Sequence, residues 1–269
     1  MNKLNLTVAA KTDQGLARSN NEDNYYVDVK SGLLIVADGM GGHAAGEIAS
    51  KLAINVIRDY FQEKNKFVHN YDQSYGPATN KLNAALCLAN LAVFEAAQSS
   101  PQLKGMGTTI AAALMIGNKS SIAHIGDSRV YLIRSDNIEQ LTDDHSIVNE
   151  QIKRNIITKE DAAKSNIKNL LTKALGISPE AEAELNELTL FDGDILLLCS
   201  DGLNTMLTDE AILKIISLAK RPSDACDFLI NAANEKGGKD NITVIVAYIK
   251  KKNCIRHLIN LQNLFGCNV

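Results

Sequence analysis

No uninterrupted apolar stretch in the 269-residue chain approaches the ~18 residues that a membrane-spanning helix needs. The first ten residues hold one lysine and too short an apolar run for a secretory signal. Paired cysteines are lacking as well. The five present (Cys87, Cys199, Cys226, Cys254, Cys267) are odd in number, scattered and without a Cys-x-x-Cys. That argues against a disulfide framework or a thiolate zinc site, and for a reducing, cytoplasmic setting. Nor is there an excess of positive charge: 28 Lys and Arg stand against 31 Asp and Glu, a net charge of −3. Nucleic acid and anionic membrane are therefore not expected partners. Internal repeats and low-complexity tracts are absent. What remains, 45% apolar and 22% charged residues, is a globular composition on a chain long enough to bury a core without staples.

Several nucleotide and nucleophile motifs are missing too. Gly41-x-x-x-x-Gly46 is followed by Glu47 rather than Lys-Ser/Thr, so it is no phosphate-binding P-loop. Gly105-Met-Gly107 lacks the third glycine of a dinucleotide fingerprint. Neither Gly-x-Ser-x-Gly nor His-Glu-x-x-His occurs, and the five histidines are dispersed.

Short apolar or alternating runs predict strands at Leu4–Ala9, Tyr25–Val29, Leu33–Ala37, Thr108–Ile116, Ser121–Ile125, Arg129–Ile133, Ala183–Leu190, Asp194–Cys199 and Ile242–Ile249. Helical spacing appears over Glu47–Phe61, Asn80–Gln98 and Thr208–Ala219, and Pro222 opens a further helix to Asn234. Strands follow one another in pairs more often than they alternate with helices. That order predicts an α+β fold with antiparallel sheets rather than a doubly wound parallel one. Glu63–Pro77 reads as a surface loop and Ser146–Lys168 as a polar excursion.

The informative pattern is where carboxylates fall. The run Leu33–Ala37 ends in Asp38-Gly39, Ser121–Ile125 in Gly126-Asp127, and Ile195–Cys199, after Ser200, in Asp201-Gly202. Asp240-Asn241 precedes Ile242–Ile249. Acids gathered at strand ends repel unless a cation sits among them, and oxygen-only donors suit hard ions such as Mg²⁺ or Mn²⁺. Asp-Gly is also a favoured hairpin dipeptide. Asp192-Gly193, with apolar alternation on both sides, is assigned to such a hairpin and to no chemistry. For the other acids, spacing alone leaves a shared metal site and independent turns both open.

Seven elements then occur in order: Arg18-Ser-Asn-Asn-Glu22-Asp23, Val36-Ala-Asp38-Gly-Met-Gly-Gly42, Gly107-Thr-Thr109, Gly126-Asp127-Ser-Arg129, Leu170-Leu-Thr-Lys-Ala-Leu-Gly176, Ser200-Asp201-Gly202 and Lys239-Asp240-Asn241. Together they resemble the metal-dependent protein phosphatase family of the protein phosphatase 2C type, in particular its compact bacterial members, from about Thr12 to Tyr248. The resemblance implies a central sandwich of two antiparallel β-sheets flanked by helix pairs, with a binuclear metal centre at one end. Residues 1–250 would form the catalytic domain, 146–168 a flap beside the groove, and 251–269 a short tail.

Carried over residue by residue, the resemblance implies that Asp38 bridges two Mn²⁺ or Mg²⁺ ions. Asp201 and Asp240 would complete one ion, and Glu22 with the Gly39 carbonyl would serve the other. Asp127 would hold a third, weaker ion together with Asp201. Arg18 would grip the substrate phosphate, with Asp23 and Asn241 behind the ligands. A water shared by two dications is a sufficient nucleophile, so no phosphoenzyme is expected and Ser128 is given no catalytic part. The implied activity is a serine/threonine protein phosphatase of the cytoplasm, a monomer acting on phosphorylated proteins and reversing a bacterial Ser/Thr kinase in signal transduction. Three positions depart from the family pattern. Met40 stands where animal members carry a His as general acid, a function typically worth about 10²–10⁴ in rate. Thr205 replaces a frequent acid, and Lys173 a frequent Arg. A protein keeping this fold without its metals is the rival reading, and the retained Glu22, Asp38, Asp127, Asp201 and Asp240 oppose it.

Overall fold

A computed structural model describes residues 4–41, 45–63, 71–158, 161–162, 165, 167 and 170–251. Among these, the strands form two sheets in which every pairing is antiparallel. One sheet runs in the order β1 (Leu4–Asp13), β11 (Ile242–Lys251), β10 (Ile195–Cys199), β7 (Arg129–Arg134), β8 (Asn137–Gln140). The other runs β2 (Asp23–Asp28), β3 (Leu33–Met40), β5 (Ile110–Ile116), β6 (Lys119–Ile125), β9 (Glu184–Thr189), with the short β4 (Gly107–Thr108) paired to the end of β3. Helices α1 (Ala45–Gln62) and α2 (Pro77–Ser99) cover the second sheet. Helices α5 (Asp209–Leu218) and α6 (Pro222–Glu235) cover the first. Short α3 (Ile147–Lys153) and α4 (Asp201–Asn204) lie in connections.

Three apolar layers hold these four together. Leu34, Val36, Ile122, Val130, Leu196, Leu198 and Ile245 fill the space between the sheets. Residues of opposite parity on the same strands, such as Leu33, Ile35, Leu197 and Val244, face outward onto helices. Strands apolar on both faces are what a sheet buried on both sides requires. In α1 the buried positions Ala49, Ala53 and Ile57 recur every four residues, and in α2 Leu82, Leu86, Ala89 and Val93 recur every three or four. Thr208 caps α5 by accepting the Ala211 N–H, and Pro222 opens α6.

The expected α+β sandwich is what the chain forms, with β3 longer than its apolar run: it continues through Asp38 and Gly39 to Met40. Two local expectations need correction, and one strand, β8, has no counterpart among the predicted ones. Asp192-Gly193 makes no hairpin, because β9 pairs with β6 in one sheet while β10 pairs with β7 and β11 in the other. The turn carries the chain between sheets and is held there by β11, since the Asp192 carboxylate accepts the Lys251 N–H and the Gly193 N–H donates to Ile249 O. The polar excursion from Ser146 begins as helix α3, whose N-terminus Ser146 caps through the Asn149 N–H. The short strand β8 follows the Ser135–Asp136 turn, where both residues have positive φ (50° and 61°). The tail from 252 and His43 lie outside the described residues.

Candidate active site

The strand ends named from sequence meet at one end of the sandwich. A cleft of about 830 Å³ is lined there by Arg18, Glu22, Asp38, Gly39, Met40, Asp127, Asp201, Asp240 and Asn241, among others. Asp38 lies in β3 directly opposite Asp23 of β2. Its backbone is fixed from the neighbouring chain: the Asp38 N–H donates to Thr109 Oγ1 (3.0 Å), and its carbonyl accepts both the Thr109 N–H (2.8 Å) and the Thr108 hydroxyl (2.9 Å). Asp127 sits in the turn from β6 to β7, and Asp201 opens α4 immediately after β10. Asp240 precedes β11, which neighbours the central strand β10. A Cβ at Gly202 would lie 2.0 Å from the Asn241 carbonyl oxygen, so only glycine lets the Asp201 and Asp240 segments come so near.

These carboxylates are poorly satisfied by protein alone. Asp23 and Asp201 are buried, and Oδ1 of each has no hydrogen-bond partner among the described residues. Burial raises the Asp38 and Asp201 carboxyls well above the ordinary range, and the surrounding aspartate charges add to the effect. Burial also lifts Asp127 to about 7, with a further push from the Asp144 charge. Asp23 rises to about 6 by burial, against the opposing Ser200 hydrogen bond. In the native fold such a group of acids asks for either protons or a cation.

Among the described residues, the His, Cys, Asp and Glu side chains that bring three ligand atoms within 4.8 Å of one another are His124, His145 and Glu184, not these acids. In two-metal sites the ions stand about 3.5–4 Å apart, with water in the remaining coordination places. The donor set is all oxygen, as Mg²⁺ and Mn²⁺ prefer. Two buried carboxylate oxygens without partners are the other half of the fit.

Arg18 pairs directly with the cluster. Arg18 Nη2 donates to Asp240 Oδ2 at 2.7 Å, with the arginine side chain 54% exposed. Asn241 holds the loop that carries it: Oδ1 accepts the Glu22 N–H (2.9 Å), and Nδ2 donates to Gln14 O (2.9 Å) and Asn20 O (2.8 Å). Glu22 Oε1 accepts from Asn20 Nδ2 (2.8 Å), and the Glu22 carbonyl accepts the Gly39 N–H (3.2 Å). All nine residues singled out from sequence thus lie in this one region, eight of them lining the cleft and Asp23 behind its surface. Sequence reasoning missed Thr109, which carries Asp38, and Ser200, whose hydroxyl donates to Asp23 Oδ2 (2.7 Å) and accepts the Thr243 N–H (3.0 Å). Both lay inside motifs already quoted, so the signal was present but was read only for its acids. Ser128 is buried with its hydroxyl against Thr109 Oγ1 at 2.6 Å, which takes it out of reach as a nucleophile. Met40 and Lys173 line the cleft, while Thr205 lines an adjoining cavity with Asp127, Asp201 and Asp209.

Comparison with known proteins agrees with this geometry. The protein phosphatase 2C family matches residues 17–243. The serine/threonine phosphatase Stp of Listeria innocua is 38% identical over 239 residues, covering 88% of this chain and 93% of that protein. The crystal structure of the Mycobacterium tuberculosis serine/threonine phosphatase PstP superposes with a TM-score of 0.81 at 39% identity, covering 91% of this chain and 99% of that one. A PstP catalytic domain in complex with two manganese ions gives 0.81 at 38% identity, covering 92% of this chain and all of that one. Among the described residues, no helix is long and apolar enough to cross a membrane. With its ordered motifs, antiparallel sandwich and gathered carboxylates, this chain belongs to the protein phosphatase 2C family.

Proposed function

We propose that the protein hydrolyses phosphoserine and phosphothreonine in proteins with the help of Mn²⁺ or Mg²⁺. The observation that carries this reading is the set of buried, mutually repelling carboxylates at one end of the sandwich, two of them with an oxygen that has no hydrogen-bond partner among the described residues. In this reading Asp38 is shared by two ions. Asp201 and Asp240 complete one, Glu22 and the Gly39 carbonyl serve the second, and Asp127 with Asp201 offers a third, weaker place. When bound, a pair of dications supplies an activated water and positive charge against the phosphoryl oxygens.

The chain's own residues do the rest. Arg18 is exposed and tethered by a single carboxylate contact, so its guanidinium is free to exchange Asp240 for a phosphate, which it matches as a planar fork. Asn241 fixes the backbone on both sides of Arg18, at Gln14 and Asn20, and so limits where that fork can point. Thr108 and Thr109 keep Asp38 from moving as charge changes in the cleft. Met40 cannot donate a proton, so the leaving alkoxide takes its proton from a water, metal-bound or bulk, rather than from this side chain. Leu170, Leu171 and Ile177 give one side of the cleft an apolar wall suited to peptide rather than to a small ionic substrate.

Residues 1–250 form the catalytic domain in this reading, 146–168 is a flap beside the groove, and 251–269 is a tail. The protein acts as a cytoplasmic monomer opposing a Ser/Thr kinase. The test is phosphate release from phosphoserine, phosphothreonine and phosphotyrosine peptides. Release from the first two with Mn²⁺, abolished by chelator and by Asp201→Ala, is the expected result. Wild-type protein inert with Mn²⁺ present would favour a silent binding module instead.

A further inference from the structure

His145 lies outside the carboxylate cluster, yet three segments meet on it. Its N–H donates to Gly126 O (3.0 Å), its ring Nδ1 accepts the Gly126 N–H (3.1 Å), and its carbonyl accepts the Thr172 N–H (2.8 Å). Gly126 carries Asp127 next to it, and Thr172 belongs to the cleft wall. The same wall is tied to the start of α3 by the Ser146–Leu171 bridge and by the Ile147 N–H donating to Leu170 O (3.0 Å). The ring itself is nearly buried and stacks on His124, with centroids 4.8 Å apart and planes 10° from parallel.

The state of this ring follows from its partners. A backbone N–H can only donate, so Nδ1 must be the acceptor nitrogen of a neutral imidazole, and Nε2 bears the proton. That proton faces Glu184 Oε2 at 3.4 Å. The same constraint argues against reading His124, His145 and Glu184 as a metal site, although their ligand atoms lie within 4.8 Å of one another. A ligating histidine gives its second ring N–H to an acceptor. Ligation through Nε2 would put that proton on Nδ1, directly against the Gly126 N–H.

Gly126 has no side chain with which to fix its own turn, and its φ of +102° is a conformation that side-chain-bearing residues rarely adopt. A Cβ there would also lie 2.6 Å from Thr109 Cγ2. We propose that His145 is a positioning residue: its Nδ1 acceptor clamps the Gly126–Asp127 turn, and its backbone ties that turn to the groove wall at Leu170–Thr172. The proposal rests on the reading of Asp127 given under the proposed function.

His145→Ala, His145→Asn and His145→Gln test the clamp. The Asn amide oxygen falls near the place of Nδ1, whereas Gln reaches the place of Nε2. Exchange of the Gly126 amide is followed by NMR without metal, and kcat and KM are measured on a phosphopeptide at saturating Mn²⁺. The Ala variant is expected to lose Gly126 protection and to drop roughly 10–100-fold in kcat with little change in KM, as for other groups that orient a ligand. Asn restores both and Gln does neither. Gln rescuing as well as Asn, or Ala leaving the Gly126 amide protected, overturns the proposal. In the wild type, imidazole ¹⁵N shifts must show Nδ1 unprotonated; the opposite tautomer overturns it even if the Ala variant fails to fold. Loss of all Mn²⁺-dependent hydrolysis in the wild type would instead refute the proposed function, while the amide and tautomer readouts still judge the clamp.

Discussion

Strand β10 carries a buried aspartate beyond each end, and the two live in opposite circumstances. Asp194, just before the strand, receives Arg134 Nε (2.8 Å) and Nη2 (2.7 Å) on its two oxygens and the Phe191 N–H (2.7 Å) besides. Asp201, just after the strand, has Asp127, Asp240 and Asp23 for its main electrostatic neighbours, with Arg18 a smaller opposing charge, and its Oδ1 has no hydrogen-bond partner among the described residues. Residue type, burial and strand are shared. What differs is that one acid is neutralised within the fold and the other is left for something that the fold does not contain. A buried charge with its counter-charge is structural; a buried charge kept among like charges is held in that state against its own stability.

Substituting both residues gives the sharpest separation. Asp201→Asn should lower phosphatase activity by more than the roughly 10–100-fold typical of a group standing behind a metal ligand, while the metal-free protein becomes more stable because a repelling charge is gone. Asp194→Ala should leave activity per folded molecule near wild type and cost about 2 kcal/mol of stability, the partly exposed Arg134 keeping the loss below that of a fully buried pair. Denaturant melts and peptide assays on both variants check this. The comparison breaks if Asp194→Ala is the inactive one.

The second test uses pH. At the Asp201 end the folded-state values lie above the unfolded value of about 3.9, with Asp23 at about 6 and Asp127 at about 7. Groups raised in this way favour the folded protein fully below the unfolded value, and that favour is lost as pH rises through the folded one. In chelator, the melting temperature should therefore fall between pH 5 and 7.5. Mn²⁺ should raise it more at the upper end of that range than at the lower, and Asp201→Asn should flatten both trends. A metal-free melting temperature that climbs over the same interval would contradict the electrostatic account.

A smaller effect is expected at Ser200, which joins the end of β10 to Asp23 and to the Thr243 N–H. Ser200→Ala leaves a buried carboxylate oxygen and a backbone N–H unpaired, which costs about 1–3 kcal/mol. Activity should fall by less than with Asp201→Asn, since Ser200 acts only through Asp23. Thermal melts beside initial rates distinguish the two effects, and a Ser200→Ala protein as inactive as Asp201→Asn would blur the division drawn between ligand and support.

How far the sequence could lead divides along similar lines. Acids at strand ends were legible because strand periodicity fixes where a run stops and an adjoining Gly or Asn marks the turn. The α+β class with antiparallel sheets followed from strand order, and the sandwich from the family resemblance. The Asp192-Gly193 turn was misread because alternation on both sides describes two strands without saying that they belong to different sheets. Ser200 and Thr109 were passed over because a hydroxyl has no periodic signature, and their partners lie 177 and 71 residues away. Helix α3 was obscured by polar residues whose order depends on tertiary partners: Asn149 Nδ2 donates to the Asp144 carbonyl at 2.8 Å, and Lys153 pairs with Asp143.

The central claim is that the carboxylates left unsatisfied in the fold converge to hold a pair of divalent cations, with Asp38 common to both. Calorimetric titration of Mn²⁺ into metal-free wild type and Asp38→Asn protein tests it most directly. Two ions bound by the wild type and both lost or severely weakened in Asp38→Asn is the predicted result; equal uptake by the two proteins would contradict it.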